Sequence, residues 1–277
     1  MLSTTLIDKI IENALMEDMP YGDITTDNLI PEDSVSEGYI VAKEPGVIAG
    51  IEVAERVFHL LDKSIQLKLH VKDGDYVNKG DIILEIKGNT RAILKGERTA
   101  LNLFQRMCGI ATLTYRIKEQ VRDLPVRIVD TRKTVPGLRY LDKYSVRCGG
   151  GHNHRLGLSD AVLIKDNHIN ASGGIKKAVE KARESIPHTM TIEVETTTME
   201  EVQEALDAGA DIIMLDNMNL EQMKQAVELI NKRALVEASG NITMETVRNV
   251  ALTGVDIISI GALTHSVKAM DLSLKLK

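Results

Sequence analysis

Charged side chains recur at the ends of short apolar runs in the second half of the chain, and their types suit the binding of anions. Asp130-Thr-Arg132-Lys133, His154-Arg155 and Lys165 supply cations, whereas Glu195 and Asp216 supply carboxylates at the ends of two successive runs. A guanidinium offers a planar fork to carboxylate or phosphate, and an ammonium is a compact charge suited to phosphate. Two carboxylates on one rim repel each other unless a cation lies between them. The pair therefore predicts a hydrated Mg²⁺ carried on a phosphate, acceptors for sugar hydroxyls, or plain pairing with neighbouring Lys and Arg. Either of the first two roles predicts a phosphorylated sugar or nucleotide-like substrate.

Ser239-Gly240-Asn241 and Ile260-Gly261-Ala262 end the last two apolar runs. Gly in such loops lets backbone N–H groups approach a phosphate, and it also serves as an ordinary turn residue. Gly149-Gly-Gly-His152-Asn-His154-Arg155 is read as a flexible stretch that presents His154 and Arg155 to an anion; His-x-His as a metal site lacks an obvious third ligand. Met214 and Met218 are read as core filler. Cys108 and Cys148 sit far apart with no His at recognisable spacing, so neither a disulfide framework nor a reactive thiol is expected.

The elements that must position these groups follow from hydrophobic patterning. Six runs end in polar residues: Arg127 to Val129, Ala161 to Ile164, Thr191 to Val194, Ile212 to Leu215, Ala234 to Val236 and Ile257 to Ile260. Helical segments separate the later runs, with starts expected at Thr198-Met-Glu-Glu201 and Asn219-Leu-Glu-Gln222. Asp207-Ala-Gly-Ala-Asp-Ile-Ile-Met-Leu-Asp216 echoes Leu252-Thr-Gly-Val-Asp-Ile-Ile-Ser-Ile-Gly261, as repeated βα units would. The expected class is α/β, an incomplete barrel in which the carboxyl ends of the strands face the ligand. No Gly-x-Gly-x-x-Gly or Walker sequence appears, which removes the usual signatures of dinucleotide and NTP sites.

Before these repeats the pattern is different. Leu6, Ile7, Ile10, Ile11, Ala14 and Leu15 predict a helix; Gly38 to Ala42, Ile65 to Val71 and Ile82 to Ile86 predict strands; Val53 to Leu61 and Thr99 to Arg122 predict helices. This reads as a separate α+β module. Val71 to Ile86 is similar to half of a biotinyl or lipoyl carrier domain, but no lysine-bearing hairpin follows, so the stretch is expected to form plain strand pairs around Gly74 and Gly80.

Bulk composition narrows the partners. The chain has 277 residues with net charge −6, yet residues 91–165 alone carry net +9 and the remainder −15. A cationic patch inside an acidic protein favours a small anion over nucleic acid, and 3% aromatics leave few platforms for stacking bases. No apolar run reaches the ~18 residues of a membrane span, and acidic residues interrupt the pattern from Met1 to Asp18. No membrane association and a cytoplasmic location are expected.

Glu97-Arg-Thr-Ala-Leu-Asn-Leu-Phe-Gln105, Gly109-Ile-Ala-Thr112, Asp130-Thr-Arg-Lys-Thr-Val-Pro-Gly-Leu-Arg139, Gly149 to Arg155, Leu163-Ile-Lys-Asp-Asn-His-Ile169, Glu193-Val-Glu195, Leu215-Asp-Asn217 and Glu237-Ala-Ser-Gly240 stand in an order and spacing that closely resemble the quinolinate phosphoribosyltransferase family over nearly the whole chain. Those enzymes are the decarboxylating phosphoribosyltransferases of NAD biosynthesis. The resemblance implies an amino-terminal α/β sandwich domain (1–110), an incomplete α/β barrel (111–264), and a final helix within 265–277 returning to the first domain. It implies a homodimer, or an oligomer of dimers, with Arg98 donated across the interface.

Carried over by motif, Arg132, His154, Arg155 and Lys165, with Arg98 from the partner, are implied to hold the two carboxylates of quinolinate. Lys133, Glu195, Asp216, Ser239, Gly240, Asn241, Ile260, Gly261 and Ala262 are implied to hold phosphoribosyl pyrophosphate. Lys133, Glu195 and Asp216 are the implied catalytic set, with Mg²⁺ held by Glu195 and Asp216 directly or through water. This chain departs from the family at Val135, where Thr is frequent, at Cys108, where Ser is frequent, and at Asn241, where Gly is frequent. None of these departures removes a charge. A non-decarboxylating nicotinate phosphoribosyltransferase and the related molybdate-operon paralogue are the nearest enzymatic alternatives; a carrier module is the alternative from another class.

Overall fold

A computed structural model describes residues 3–277; the first two residues of the expected 1–110 domain lie outside the described residues. The chain divides into two compact units, one of residues 1–115, 135–150 and 266–277, the other of residues 116–134 and 151–265.

The first unit begins with helices α1 (Thr4–Asp18) and α2 (Ile24–Leu29). Strands β1 (Val35–Ala42), β2 (Gly46–Val47), β3 (Gln66–Leu69), β4 (Tyr76–Val77) and β5 (Ile82–Asn89) follow, with α3 (Ile51–Leu61) between β2 and β3. Helix α4 (Thr90–Glu119) then leads out of the unit. Its antiparallel sheet has the order β12-β1-β5-β3, the edge strand β12 (Leu272–Leu276) coming from the far end of the chain. The returning segment is thus a strand and not the helix that the resemblance implied. Leu-Ser-Leu-Lys-Leu alternates with period two, burying Leu272 and Leu274, and an alternating pattern cannot present one apolar face as a helix.

Helix α3 buries Ile51, Val53, Ala54, Val57 and Phe58 against a core that includes Ile40, Leu84, Ile93 and Phe104. Helix α4 starts nine residues before the expected Thr99. Asn89 Oδ1 accepts the Ala92 N–H at the helix start, and Gly96 then lets α4 pass close to α3: a Cβ there would stand 3.0 Å from both Phe58 and Leu61. That glycine, which lowers helix propensity, hid the first turns from the periodicity. A further helix of this unit, α5 (Arg139–Cys148), had no sequence signal.

The second unit holds β6 (Arg127–Val129), β7 (Val162–Ile164), β8 (Ile192–Thr196), β9 (Ile212–Asp216), β10 (Leu235–Ser239) and β11 (Ile257–Ser259). The connecting helices are α6 (Asp166–Ser172), α7 (Ile175–Ser185), α8 (Met199–Asp207), α9 (Leu220–Ile230), α10 (Val247–Ala251) and α11 (Ala262–His265). All six strands are parallel, in the order β6-β11-β10-β9-β8-β7. The succession runs round as in a barrel, but no ladder joins β6 to β7, so the barrel is incomplete, as expected from six runs.

Both expected helix starts are capping boxes: Thr198 Oγ1 accepts from Glu201 N at 3.2 Å and Asn219 Oδ1 from Gln222 N at 2.9 Å. The internal echo has a shared purpose. Asp211 Oδ2 accepts the N–H of Ile192 at the start of β8, and Asp256 Oδ2 accepts that of Val236 in β10. Each repeat thereby ties the base of one strand to the strand that precedes it in sequence and lies beside it in the sheet. No helix among the described residues is long and apolar enough to cross a membrane.

Candidate active site

A cavity of about 540 Å³ opens at the carboxyl ends of the parallel strands. Its lining takes Arg132 and Lys133 from beyond β6, His154 and Arg155 from the loop before β7, and Lys165 from the end of β7. Glu195 comes from β8, Asp216 from β9, and Ser239, Gly240 and Asn241 from β10 and its loop. Ten expected site residues therefore meet around one space. Cations and carboxylates converge on this space.

The cations are held by different means. Asp130 is fully buried; its carboxylate accepts from the His154 backbone N–H at 3.0 Å and from the Asn153 side chain, which fixes the His152 to His154 loop. Arg155 is half-buried, and its Nη1 donates to the carbonyl of Ala161 at 3.0 Å. Burial, and then the neighbouring Arg132 charge, hold its guanidinium below the ordinary arginine pKa. Such a site gains from an incoming anion. Lys165 Nζ forms an ion pair with Glu195 Oε2 across β7 and β8. Lys133 is supported from behind: its carbonyl accepts the Thr264 hydroxyl at 2.8 Å, and a Cβ on Gly261 would stand 3.0 Å from Lys133 Cδ. Ile260 is buried, Gly261 abuts Lys133, and Ala262 opens α11, so this loop meets the cavity through Lys133 and does not line it.

The opposite rim is a relay of amides. Asn241 Nδ2 donates to Asn217 Oδ1 at 3.0 Å, Asn217 Nδ2 donates to Asp216 Oδ2 at 2.8 Å, and the Asn217 N–H donates to Ser239 O at 3.0 Å. Gly240 lies in the left-handed region at φ +96°, and a Cβ there would fall 2.2 Å from Asn217 Oδ1 and 2.9 Å from its backbone nitrogen. Gly240→Ala is accordingly expected to cost about 1–3 kcal/mol and to lower the melting temperature. An unchanged thermal unfolding curve would contradict this geometry. Asn241 also has positive φ, +49°, a conformation Asn tolerates better than most residues.

Beneath the rim His154 meets two buried acids to which sequence reading gave no site role. His154 Nδ1 accepts the Arg155 N–H at 2.8 Å, so the ring proton sits on Nε2, which faces Glu193 Oε2 at 3.1 Å and Glu237 Oε1 at 3.6 Å. Glu193 and Glu237 are 3% and 1% exposed, and Oε1 of each has no hydrogen-bond partner. Burial first, then repulsion from Glu193, raises the Glu237 carboxyl to about 7, with His154, Ser259 and Lys165 opposing the shift. Glu237, Met214, Ser259, Asn217, Thr131 and Leu163 line the cavity as well. The available signal was strand parity: Glu237 is two residues before Ser239, hence on the same face of β10. Met214 is both core filler, 5% exposed, and part of the cavity wall.

Arg98 is exposed on α4 in the first unit. Cys108 is buried, and burial pushes Cys148 up to about 12, in keeping with two unreactive thiols.

Comparison with known proteins gives a consistent picture. Residues 23–108 match the family described as quinolinate phosphoribosyl transferase, N-terminal domain, and residues 110–275 match its C-terminal domain. The chain is 47% identical to the probable nicotinate-nucleotide pyrophosphorylase [carboxylating] of Bacillus subtilis, covering 96% of this chain and 92% of that one. It is also 47% identical to the chloroplastic nicotinate-nucleotide pyrophosphorylase [carboxylating] of Arabidopsis thaliana, over 96% and 82%. The crystal structure of NadC from Streptococcus pyogenes superposes with a TM-score of 0.96 at 44% identity, covering 100% of this chain and 98% of that one.

Proposed function

This chain belongs to the quinolinate phosphoribosyltransferase family, and we propose that the strand-end cavity is the place where it carries out the family's reaction. It transfers the phosphoribosyl group of phosphoribosyl pyrophosphate to the ring nitrogen of quinolinate and releases the 2-carboxyl group as CO₂, giving nicotinate mononucleotide and pyrophosphate for NAD biosynthesis. The observation that carries the assignment of the site is the convergence of Arg132, Lys133, Arg155 and Lys165 with Glu195 and Asp216 on one cavity.

In this reading Arg132, Arg155 and Lys165, with Arg98 from a second copy, take the two carboxylates of quinolinate. His154 stands at the same end, its nitrogens engaged in holding Arg155 and the buried acids. Ser239, Gly240 and Asn241 offer N–H and hydroxyl groups to phosphate, and the Ile260 to Ala262 loop braces Lys133. No side-chain nucleophile is needed. Holding the ring nitrogen against the anomeric carbon supplies much of the acceleration, and Lys133 offsets charge on the departing pyrophosphate. Glu195 and Asp216 favour the positive charge that develops on the ribose. These half-buried carboxylates are oxygen donors, and Asp216 is oriented by Asn217, a set that fits Mg²⁺, which keeps most of its water and needs only one or two carboxylates beside a phosphate. Bound there with the pyrophosphate, Mg²⁺ would add Lewis-acid stabilisation of the leaving group. A cytoplasmic setting fits two free cysteines.

Two experiments test this. Supplied with phosphoribosyl pyrophosphate, the protein should form mononucleotide from quinolinate and not from nicotinate; equal use of nicotinate would instead favour the non-decarboxylating alternative. Arg98→Ala and Lys133→Ala proteins, each impaired alone, should regain part of the activity when mixed under subunit exchange, because a site that borrows Arg98 from a neighbour becomes whole in one half of a heterodimer. No recovery in verified heterodimers would remove Arg98 from the shared site.

A further inference from the structure

The reaction consumes a proton, and none of the roles above supplies it. When the bond from C2 to the carboxyl carbon breaks, CO₂ leaves and the electron pair stays on C2, next to the ring nitrogen that now bears the ribose. C2 must then take a proton. Its place in the cavity follows from connectivity. The ring nitrogen has to lie where the quinolinate end, at Lys165 and Arg155, meets the phosphoribosyl end, at Asp216 and Ser239, and C2 is bonded to that nitrogen.

Glu237 stands at that junction. It lines the cavity on the same face of β10 as Ser239, one side-chain layer deeper, and is 1% exposed. The charged and titratable groups around it are Glu193 from β8, His154 from the loop before β7 and Lys165 from the end of β7, while β11 adds the Ser259 hydroxyl and β9 the uncharged Met214. Its Oε1 has no hydrogen-bond partner, and neither has Oε1 of Glu193. The His154 proton is already directed to Glu193, 3.1 Å away. Two buried carboxylates in contact with one neutral imidazole are not both tolerated as anions, and a proton on one of them turns an orphaned acceptor into a donor.

Resting on the family reaction above, we propose that Glu237 is the acid that delivers this proton to C2. The O–H bond of its carboxyl group breaks as the C2–H bond forms, the carboxylate left behind is repelled by Glu193, and it regains a proton from water once product has left. An acid poised at about 7 keeps its proton on about half of the molecules at neutral pH and on nearly all of them below about pH 6, and can still part with it. The sign of the pH dependence is fixed by this role: the donor must be protonated, so kcat should fall as pH rises through and beyond neutrality. A folded-state value raised from 4.5 also means that stability is lost as pH rises between those two values, because the unfolded chain has released a proton that the native protein still binds.

The test is Glu237→Gln, which keeps shape and removes the acid. CO₂ release should slow by about 100-fold or more, the quinolinate Kd should stay within about threefold, and the alkaline loss of kcat seen in the wild type should vanish. The variant should also melt higher than wild type at about pH 8, with a smaller difference at about pH 5. Wild-type kcat in the variant, a loss expressed only as weaker quinolinate binding, or a stoichiometric metal on His154, Glu193 and Glu237 in purified protein would each overturn the proposal. A flat wild-type kcat profile across about pH 6 to 9 would do so without any variant. Wild-type protein that releases no CO₂ from quinolinate would sink the family reaction for this chain, and this inference with it; an active wild type beside an equally active variant would sink the inference alone.

Discussion

Replacing Arg155 by alanine is expected to cut kcat/KM for quinolinate by roughly 30- to 4000-fold, corresponding to about 2–5 kcal/mol, with a much smaller change in KM for phosphoribosyl pyrophosphate. The range is that for removing one partner of a buried, hydrogen-bonded charge pair. Three features put Arg155 in that class. It is half-buried, its Nη1 is anchored on the Ala161 carbonyl, and its guanidinium is depressed by burial and by the Arg132 charge beside it. An anchored fork loses little entropy on meeting a carboxylate, and a destabilised cation gains most from one. Arg132 is exposed at the cavity mouth, where solvent screens it, so Arg132→Ala should fall at the lower end of the same range. Steady-state kinetics with each substrate varied in turn separates the cases. Equal losses for both substrates would move Arg155 out of the quinolinate half of the cavity.

The second large effect is on turnover. Lys133→Ala should lower kcat by about 10²–10³-fold, the usual result of removing one preorganised group that meets developing charge. The lysine is well placed for that duty because its main chain is pinned by the Thr264 hydroxyl and its stem lies against Gly261, so little of it has to be ordered during reaction. If Lys133 served binding alone, KM for phosphoribosyl pyrophosphate would rise and kcat would hold. Single-turnover measurements at saturating substrate distinguish the two.

How much of this was readable beforehand depended on what each residue faces. The six parallel strands were legible because their buried runs are continuous and β-branched, and the Asp211 and Asp256 echo was legible because the same backbone tie recurs. The strand ends were read short. Ala234 to Val236 was taken as a strand giving way to a polar loop, whereas β10 runs to Ser239; β8 likewise reaches Thr196 and β9 reaches Asp216. Polar residues persist inside these strands because the strand ends wall a polar cavity. Glu237 therefore looked like loop and was passed over, although parity with Ser239 would have turned it inward.

Other features lay beyond any periodicity. Helix α5 buries Asp142 on its inner face, where Arg106 grips it through Nε and Nη2 at 2.9 and 2.8 Å, and a hydrophobic pattern cannot register an ion pair. The Ile260 to Ala262 loop was read as phosphate-binding or as a plain turn, and what its sequence did not signal is that Gly261 stands against the Lys133 side chain, a tertiary contact that no local pattern encodes. At Asn241 the replacement of a frequent Gly is intelligible only with the angle in hand: φ is +49°, and the side chain closes the amide relay to Asp216.

The most direct test of the account is a single turnover with equimolar protein sites, quinolinate and phosphoribosyl pyrophosphate in the presence of Mg²⁺, following pyrophosphate, CO₂ and mononucleotide together. One equivalent of each is predicted, none of them forming when Mg²⁺ is chelated. Pyrophosphate released without CO₂, or mononucleotide formed with the 2-carboxyl group retained, would contradict it.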